Sequence, residues 1–160
     1  MSSYHPARMG RIDDRLRELG LSLPAPRAPL ANYVPARRVG NLVYTAGQVS
    51  GTVEREIKGK LGADLTVEQG RDAAQMCALN CLAAVLTVVD SLDAVTQLVR
   101  VGAFVNSAAG FNQQPAVANG ASDLFVQIFG DAGRHARTAV SVNELPSEFA
   151  VEVELLVEVV

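Results

Sequence analysis

The sequence lacks several features that would assign a class of protein at once. It has no cluster of lysine and arginine beyond the ARR of residues 36–38, and its net charge is -3 with a pI near 5.4. A protein that holds nucleic acid by its phosphates needs a basic face, so this composition argues against nucleic-acid binding. No apolar run approaches the roughly 20 residues of a membrane-spanning helix, and the first residues lack the apolar segment of a secretory signal. We therefore expect a cytoplasmic protein with no membrane partner.

Residues that bind metals or form disulfides are also scarce. The chain has two cysteines, Cys77 and Cys81, and two histidines. The cysteines are four residues apart in a helical pattern, where disulfide geometry is poor, so we expect two reduced, buried thiols. They have no partnering histidines for a zinc site, and we expect no metal. The sequence shows no glycine-rich phosphate loop and no Ser-His-Asp pattern, and we expect no cofactor.

What is present favours a folded domain. Hydrophobic residues make up 49% of the 160 residues and charged residues 19%, which is enough to bury a core. Residues 10–20 have the periodicity of a short amphipathic helix, and the four prolines of LSLPAPRAPLANYVP predict an extended arm. We therefore divide the chain into an N-terminal helix and proline-rich arm (1–31) and a single α+β domain (32–160).

The domain alternates strand and helix patterns in the order ββαβαββ. A hairpin that turns at Gly40-Asn41 leads into a mostly buried strand over 42–49. Thr66 and Gln69 form the capping box of a helix that is expected to run to about residue 90. The later elements are a strand with one apolar face (Val99, Val101, Ala103, Val105), a helix from about Pro115 to Gly130, and strands over 137–143 and 149–159. This order predicts a mixed sheet with both helices packed on one face.

The last two strands carry the charged residues of interest. Side chains alternate across a strand, so Arg137 and Ala139 share one face of the first strand, and Glu152 and Leu156 share the polar face of the second. If the strands pair as a hairpin with their valine faces aligned, Arg137 and Glu152 lie on one surface. Such charges can simply solvate an outer face. Ala139 and Leu156 on that surface instead indicate cover by another subunit, where an arginine can bind a carboxylate through two hydrogen bonds.

Three segments resemble the YjgF/YER057c/UK114 family, also called the reactive-intermediate deaminase or Rid family and, in an older label, endoribonuclease L-PSP. They are GNLVYTAGQVS (40–50), NGASDLF (119–125) and ARTAVSVNELPSEFAVEVE (136–154). The resemblance covers about residues 32–158, and the extra N-terminal helix and arm are typical of a longer subgroup. It implies a chorismate-mutase-like fold assembled as a homotrimer, with an inner barrel of sheets and three sites in the clefts between subunits.

The resemblance also implies a chemistry. In deaminating members an arginine holds the substrate carboxylate, and a glutamate positions or activates a water that adds to an enamine or imine carbon, releasing ammonia and a 2-oxo acid. Arg137 and Glu152 fall on these two catalytic positions. The substrate-binding positions of the family fall on four further residues: Tyr33, Gly47, Asn119 and Ala139. The chain departs from the family where Ala139 stands in place of a common cysteine and Ala46 in place of a common hydroxyl residue.

The sequence leaves three possible functions to compare. The leading hypothesis is a hydrolase that resembles 2-iminobutanoate/2-iminopropanoate deaminase. The alternative, motivated by Ala46 and Ala139, is a non-catalytic or regulatory trimer that binds a small carboxylic acid. A ribonuclease rests on the older family label and is weakened by the acidic pI. His135 could act as an acid or base beside Arg137, although its neighbours favour a loop and no second histidine lies near it.

Overall fold

The structure is a computed structural model in which residues 10–160 are described. Three short 3-10 turns (Leu92–Ala94, Gly130–Gly133, Pro146–Glu148) accompany the main elements. Within the described residues no helix is both long and apolar enough to cross a membrane. The main elements, in chain order, are α1 (Arg11–Glu18), β1 (Ala36–Val39), β2 (Leu42–Thr45), β3 (Gln48–Val49), α2 (Val67–Val85), β4 (Val95–Asn106), α3 (Gln114–Phe129), β5 (Ala136–Val142) and β6 (Val151–Val159).

The strands form one six-stranded mixed sheet. Its order is β1-β2-β6-β4-β5, and β3 also pairs with β6. The β4–β5 pair is parallel and the other pairs are antiparallel. Helices α2 and α3 pack together on one face of this sheet, which we call the helix face, and the opposite side is the open face. The predicted α+β class and the two helices on one face are confirmed.

The core lies between the helix face and α2. The valine side of β6 is fully buried there, as alternation predicts for a strand with one covered face. The facing side of α2 consists of small residues, which let the helix approach the sheet closely. Both cysteines lie on that side, and each thiol sulfur is 3.3 Å from a backbone carbonyl oxygen of β6, Cys77 at Val151 and Cys81 at Val153. Both are free thiols, as predicted.

The predicted N-terminal helix is confirmed as α1, and it belongs to the same core. Ile12 and Leu16 are buried in the hydrophobic cluster of the sheet and the two long helices. The start of the helix is capped by a residue far away in the sequence. The backbone N–H groups of Arg11 and Ile12 each donate to the Asp93 carboxylate at 2.8 Å. A distant carboxylate thus satisfies amide groups that have no partner inside a helix.

Three predicted boundaries or faces are wrong in detail. The strand over 42–49 is divided at Ala46-Gly47 into β2 and β3, and little of it is fully buried. Helix α2 ends at Val85 rather than near residue 90, because the β-branched run Thr87 to Val89 disfavours helix and the Thr87 hydroxyl donates to the Ala84 carbonyl. In β4, register shifts on either side of Leu98 place Leu98 in the core instead of Val99.

The predicted hairpin of the last two strands is also wrong. Strand β5 pairs with β4 in parallel, and β6 pairs with the other edge of β4. The connection over residues 143–150 therefore passes the end of β4. Ser147 and Glu148 adopt positive φ angles of 54° and 62° along it. Two strands joined by a short segment normally pair with each other, but β4 is the longest strand and offers both of its edges.

Candidate functional site

Arg137 lies on β5 and faces α3. Its neighbour across the sheet is Val101, whose side chain is buried on the helix face. The guanidinium Nη1 donates to Asn119 Oδ1 at 2.8 Å and to Ser122 Oγ at 3.2 Å, and both acceptors lie on α3. The structure thus brings together two of the predicted site residues, Arg137 and Asn119.

The contacts of Arg137 leave a defined part of the guanidinium available. Nη1 carries two hydrogens, and both have an acceptor on α3. Among the described residues no acceptor is in hydrogen-bond contact with Nη2 or Nε. These two nitrogens form the fork that pairs with a carboxylate. Ala139, the next residue on the same face, packs partly buried against the core beside this group.

Ser122 is a contact of Arg137 that the sequence-based argument missed. Its hydroxyl Oγ is also 2.9 Å from Nε2 of His135, whose Nδ1 is 2.7 Å from the Gly133 carbonyl oxygen. A signal was available, because Asn119 and Ser122 are three residues apart and therefore neighbours on one side of α3. We call Arg137, Asn119 and Ser122 the arginine half-site.

Glu152 lies on the opposite face of the sheet, so the prediction that it shares a surface with Arg137 is wrong. Residues paired across neighbouring strands point to the same face. Val101 is paired with both Arg137 and Leu155, whereas Glu152 is paired with Phe104. The error comes from the hairpin, since pairing β5 with β4 turns the arginine side of β5 toward the helices. A single chain therefore does not bring the two proposed catalytic residues together.

The surroundings of Glu152 suit a carboxyl group that exchanges a proton. A Cβ atom at Gly47 would lie 2.8 Å from the carboxyl carbon of Glu152, so the glycine backbone and the carboxylate are in direct contact. Burial raises the pKa of Glu152 above its usual value, and the neighbouring charge of Glu154 raises it further. Both effects favour the protonated form.

Tyr33 lines a shallow depression formed with residues of β1 and β2. The depression has a volume of about 700 Å³, and Arg37, Tyr44 and Ala46 also line it. Ala46 is followed by Gly47, the glycine that lies against the Glu152 carboxyl group. Tyr33 is 55% exposed, which leaves its ring available to a ligand or to another chain. We call Glu152, Gly47 and Tyr33 the glutamate half-site.

The cysteines are unsuited to nucleophilic chemistry. Both are completely buried, and burial raises the pKa of Cys81 to about 12 and that of Cys77 well above its usual value. A thiol that keeps its proton is a poor nucleophile and a poor metal ligand. Within residues 10–160 no group of three or more histidine, cysteine, aspartate or glutamate side chains is placed to hold a metal ion.

Comparison with known proteins assigns the family. The model of the YjgF/chorismate mutase-like proteins, which carries an endoribonuclease label, matches residues 13–159. The chain belongs to the YjgF/Rid family. Its fold is therefore the chorismate-mutase-like α+β fold, and the resemblance noted in the three sequence segments is confirmed.

Individual relatives of this YjgF/Rid chain differ in what is known of them. Protein TCP17 of Trypanosoma cruzi is 44% identical over 151 residues, which cover 93% of this chain and 94% of the relative. The 2-iminobutanoate/2-iminopropanoate deaminase of Dermatophagoides farinae is 30% identical over 138 residues, which cover 86% and 93%. The crystal structure of Atu1372 from Agrobacterium tumefaciens, a protein of unknown function, has a TM-score of 0.86 at 38% identity and covers 93% of both chains.

Proposed function

We propose that this chain forms a homotrimer that hydrolyses small reactive imines and enamines to 2-oxo acids and ammonia. In each site the arginine half-site of one subunit, with Ala139, faces the glutamate half-site of the next. The observation that carries the proposal is the unused carboxylate fork of Arg137, fixed by α3 at the edge of the sheet. The deaminase of D. farinae, a relative over most of the chain, supports the reaction class.

The arrangement between subunits follows from the two faces of the sheet. Because Arg137 and Glu152 lie on opposite faces, one site can contain both only if they come from different chains. The open face also has apolar side chains that a second chain would cover, among them Tyr44 and Val140, which are 47% and 41% exposed. A sheet with an apolar second face is usually buried in an assembly.

The proposed reaction needs few groups. The fork of Arg137 holds the substrate carboxylate, which fixes the imine carbon in the cleft. Glu152 takes a proton from a water as the water oxygen bonds to the carbon of the protonated imine, and the π electrons move to nitrogen to give a neutral amine. Glu152 then returns that proton to the nitrogen, the C–N bond breaks and ammonia leaves. The C=O group forms as the hydroxyl proton passes back to the Glu152 carboxylate and from there to solvent. The raised pKa of Glu152 suits a group that must both accept and donate.

The activity is tested by generating the imine in place. A pyridoxal-phosphate dehydratase acting on an amino acid supplies the substrate, and the appearance of free 2-oxo acid and ammonia is followed. We expect the protein to accelerate release over buffer. No acceleration with any of several amino acids would refute the hydrolase.

Two variants separate binding from catalysis. Arg137→Ala is expected to lower kcat/KM by about 10- to 100-fold, because hydrogen bonds to a charged group contribute on the order of 1.5–3 kcal/mol. Glu152→Gln is expected to lower kcat by about 100-fold or more while carboxylate binding remains. Arg134→Ala is the matched control, since Arg134 is exposed and pairs with Asp131 rather than with the site.

Mixing the two inactive variants tests the subunit arrangement. In trimers reassembled from equal amounts of Arg137→Ala and Glu152→Gln chains, about a quarter of the interfaces join two unaltered half-sites. We therefore expect about a quarter of the wild-type activity to return. If each site takes both residues from one subunit, mixing restores nothing.

A non-catalytic binder of carboxylic acids is the second candidate. It is favoured by the alanines at positions 46 and 139, which supply no side-chain hydrogen bond at the two half-sites. Here calorimetry shows binding that Arg137→Ala abolishes and Glu152→Gln preserves, and the wild-type protein shows no turnover.

A further inference from the structure

The guanidinium of Arg137 is connected to a backbone carbonyl through two side chains. Arg137 Nη1 is 3.2 Å from Ser122 Oγ, Ser122 Oγ is 2.9 Å from His135 Nε2, and His135 Nδ1 is 2.7 Å from the Gly133 oxygen. The His135 ring is half-buried and meets the Phe125 ring edge-on, with 5.9 Å between the ring centres. Packing and hydrogen bonds together fix the position of the imidazole.

The donor and acceptor of each hydrogen bond that links Arg137, Ser122, His135 and Gly133 are determined. A carbonyl oxygen can only accept, so Nδ1 of His135 carries a hydrogen. In the neutral ring Nε2 is then an acceptor, and the Ser122 hydroxyl must donate to it. The lone pairs of Ser122 Oγ remain to accept from Arg137 Nη1. Each group therefore has a partner of the right kind, which removes rotational freedom from the serine hydroxyl.

The neutral state of the ring fits its surroundings. Burial lowers the pKa of His135, and the nearby charge of Arg137 lowers it further, against the raising effect of the Gly133 carbonyl. The other charged side chains of the adjoining turn and helix have partners of their own. Arg134 pairs with Asp131 at 3.2 Å, and Asp123 pairs with Arg71 at 3.0 Å.

We propose that Ser122 and His135 are positioning residues that orient Arg137 for a carboxylate ligand. Ser122, itself fixed by His135, holds Nη1 together with Asn119, which leaves Nη2 and Nε without a partner among the described residues as a preformed fork. A guanidinium fixed before binding loses less conformational freedom when the ligand arrives. This role rests on the proposed function only in taking the ligand to be a carboxylate, and it assigns no proton transfer to His135.

The first test measures the tautomer of His135 without any assay of activity. The chain has two histidines, so nitrogen-15 spectra of the full-length protein and of a His5→Gln variant assign the His135 signals. At neutral pH we expect the proton on Nδ1 and a free electron pair on Nε2. In Ser122→Ala the Nε2 signal should change, because its hydrogen-bond donor is lost. A proton found on Nε2 in the wild-type protein would overturn the proposal.

The second test measures affinity for pyruvate, a simple 2-oxo acid, by calorimetry. Ser122→Ala and His135→Phe are each expected to weaken binding by about three- to tenfold, the usual effect of losing one hydrogen bond. His135→Gln is the matched control, because its side-chain oxygen can still accept from Ser122 and should restore affinity. The same variants should raise KM more than they lower kcat. Unchanged affinity in Ser122→Ala, a small change that leaves the helix intact, would overturn the role.

The outcomes also separate this role from the proposed reaction. Wild-type protein that binds pyruvate but does not accelerate imine hydrolysis refutes the reaction and leaves the positioning role standing. Hydrolysis that is insensitive to Ser122 and His135 refutes the positioning role alone. Wild-type protein that neither binds pyruvate nor accelerates imine hydrolysis refutes both.

Discussion

At the scale of single residues, glycines decide which groups can touch. Gly47 and Gly102 leave space for the side chains of Glu152 and Glu154, since a Cβ at either glycine would lie 2.8 Å from carboxyl atoms. Gly120 lets α3 lie directly on α2. A Cβ there would lie 2.1 Å from the Arg71 carbonyl oxygen. The periodicity of a helix or strand predicts none of these three contacts, because it describes a single element and each contact joins two.

Gly120→Ala should therefore destabilise the protein. The added methyl meets backbone atoms that cannot rotate away, which costs on the order of 1–3 kcal/mol, and the better helix propensity of alanine offsets only about 1 kcal/mol. Denaturant unfolding should show a lower midpoint for this variant. Gln127→Ala, at an exposed position of α3, is the control and should change stability by less than about 0.5 kcal/mol. A Gly120→Ala protein as stable as the wild type would contradict the close contact of the helices.

Glu152 should make stability depend on pH in a particular direction. Its pKa is raised in the folded state by burial and by Glu154, so between the unfolded and folded pKa values the folded chain binds more protons. Stability then falls as pH rises through that window. Glu152→Gln should remove this loss and be more stable than wild type at neutral pH, with the difference vanishing in acid. Thermal unfolding across pH measures it, and a variant that is less stable at neutral pH would show that the carboxylate is favourably paired.

At the scale of elements, local sequence signals predicted where most helices and strands start and which side of each is buried. They did not predict which elements pair or pack with each other. The capping box of Thr66 and Gln69 begins α2 with both reciprocal bonds in place, and β1 and β2 form the predicted hairpin around Gly40. The Asp93 contact that begins α1 was not predictable in this way. It joins residues about 80 positions apart, whereas a sequence periodicity describes only residues within one element.

Asp93→Ala should loosen α1. The carboxylate accepts from two backbone amides, and losing such a cap costs on the order of 0.5–2 kcal/mol. Faster hydrogen exchange across Arg11–Glu18 would report it, with Asp90→Ala, at an exposed position in the preceding turn, as control. Backbone hydrogen bonds from Ile12 and then Arg11 lower the pKa of Asp93. Its stabilisation is therefore present above the unfolded pKa and lost as pH falls, so wild type and variant should converge in acid.

At the scale of the whole molecule, the open face is a side of the sheet on which neither α2 nor α3 packs. It combines apolar side chains with carboxylates of β6, and Leu156 lies between its strand neighbours Tyr44 and Arg100. Helices cover the other face, so the open face is where we expect a further copy of the chain to pack. The proposed site depends on this assembly, because neither half-site is complete alone.

Leu156→Glu should break the assembly. It adds a carboxylate to a strand that already has three on this face, at a position that the proposed trimer buries, and burying unpaired like charges is costly. Light scattering should show the molar mass falling about threefold relative to the wild type. Val53→Glu, at a 92% exposed loop position, should leave the mass unchanged. A monomeric wild-type protein would refute the trimer itself.

The sequence by itself determined which side of most elements is apolar, where the helices begin and the family, and it singled out Arg137, Asn119 and Glu152 as candidate site residues. These follow from periodicities and motifs that a short segment carries on its own. Only the tertiary structure decided that β5 joins the free edge of β4 and not β6. That choice depends on which long-range pairing buries the most surface, and it turned Arg137 toward Ser122 and His135 and away from Glu152. The location of the arginine half-site was therefore fixed by packing between distant elements, which no local pattern contains.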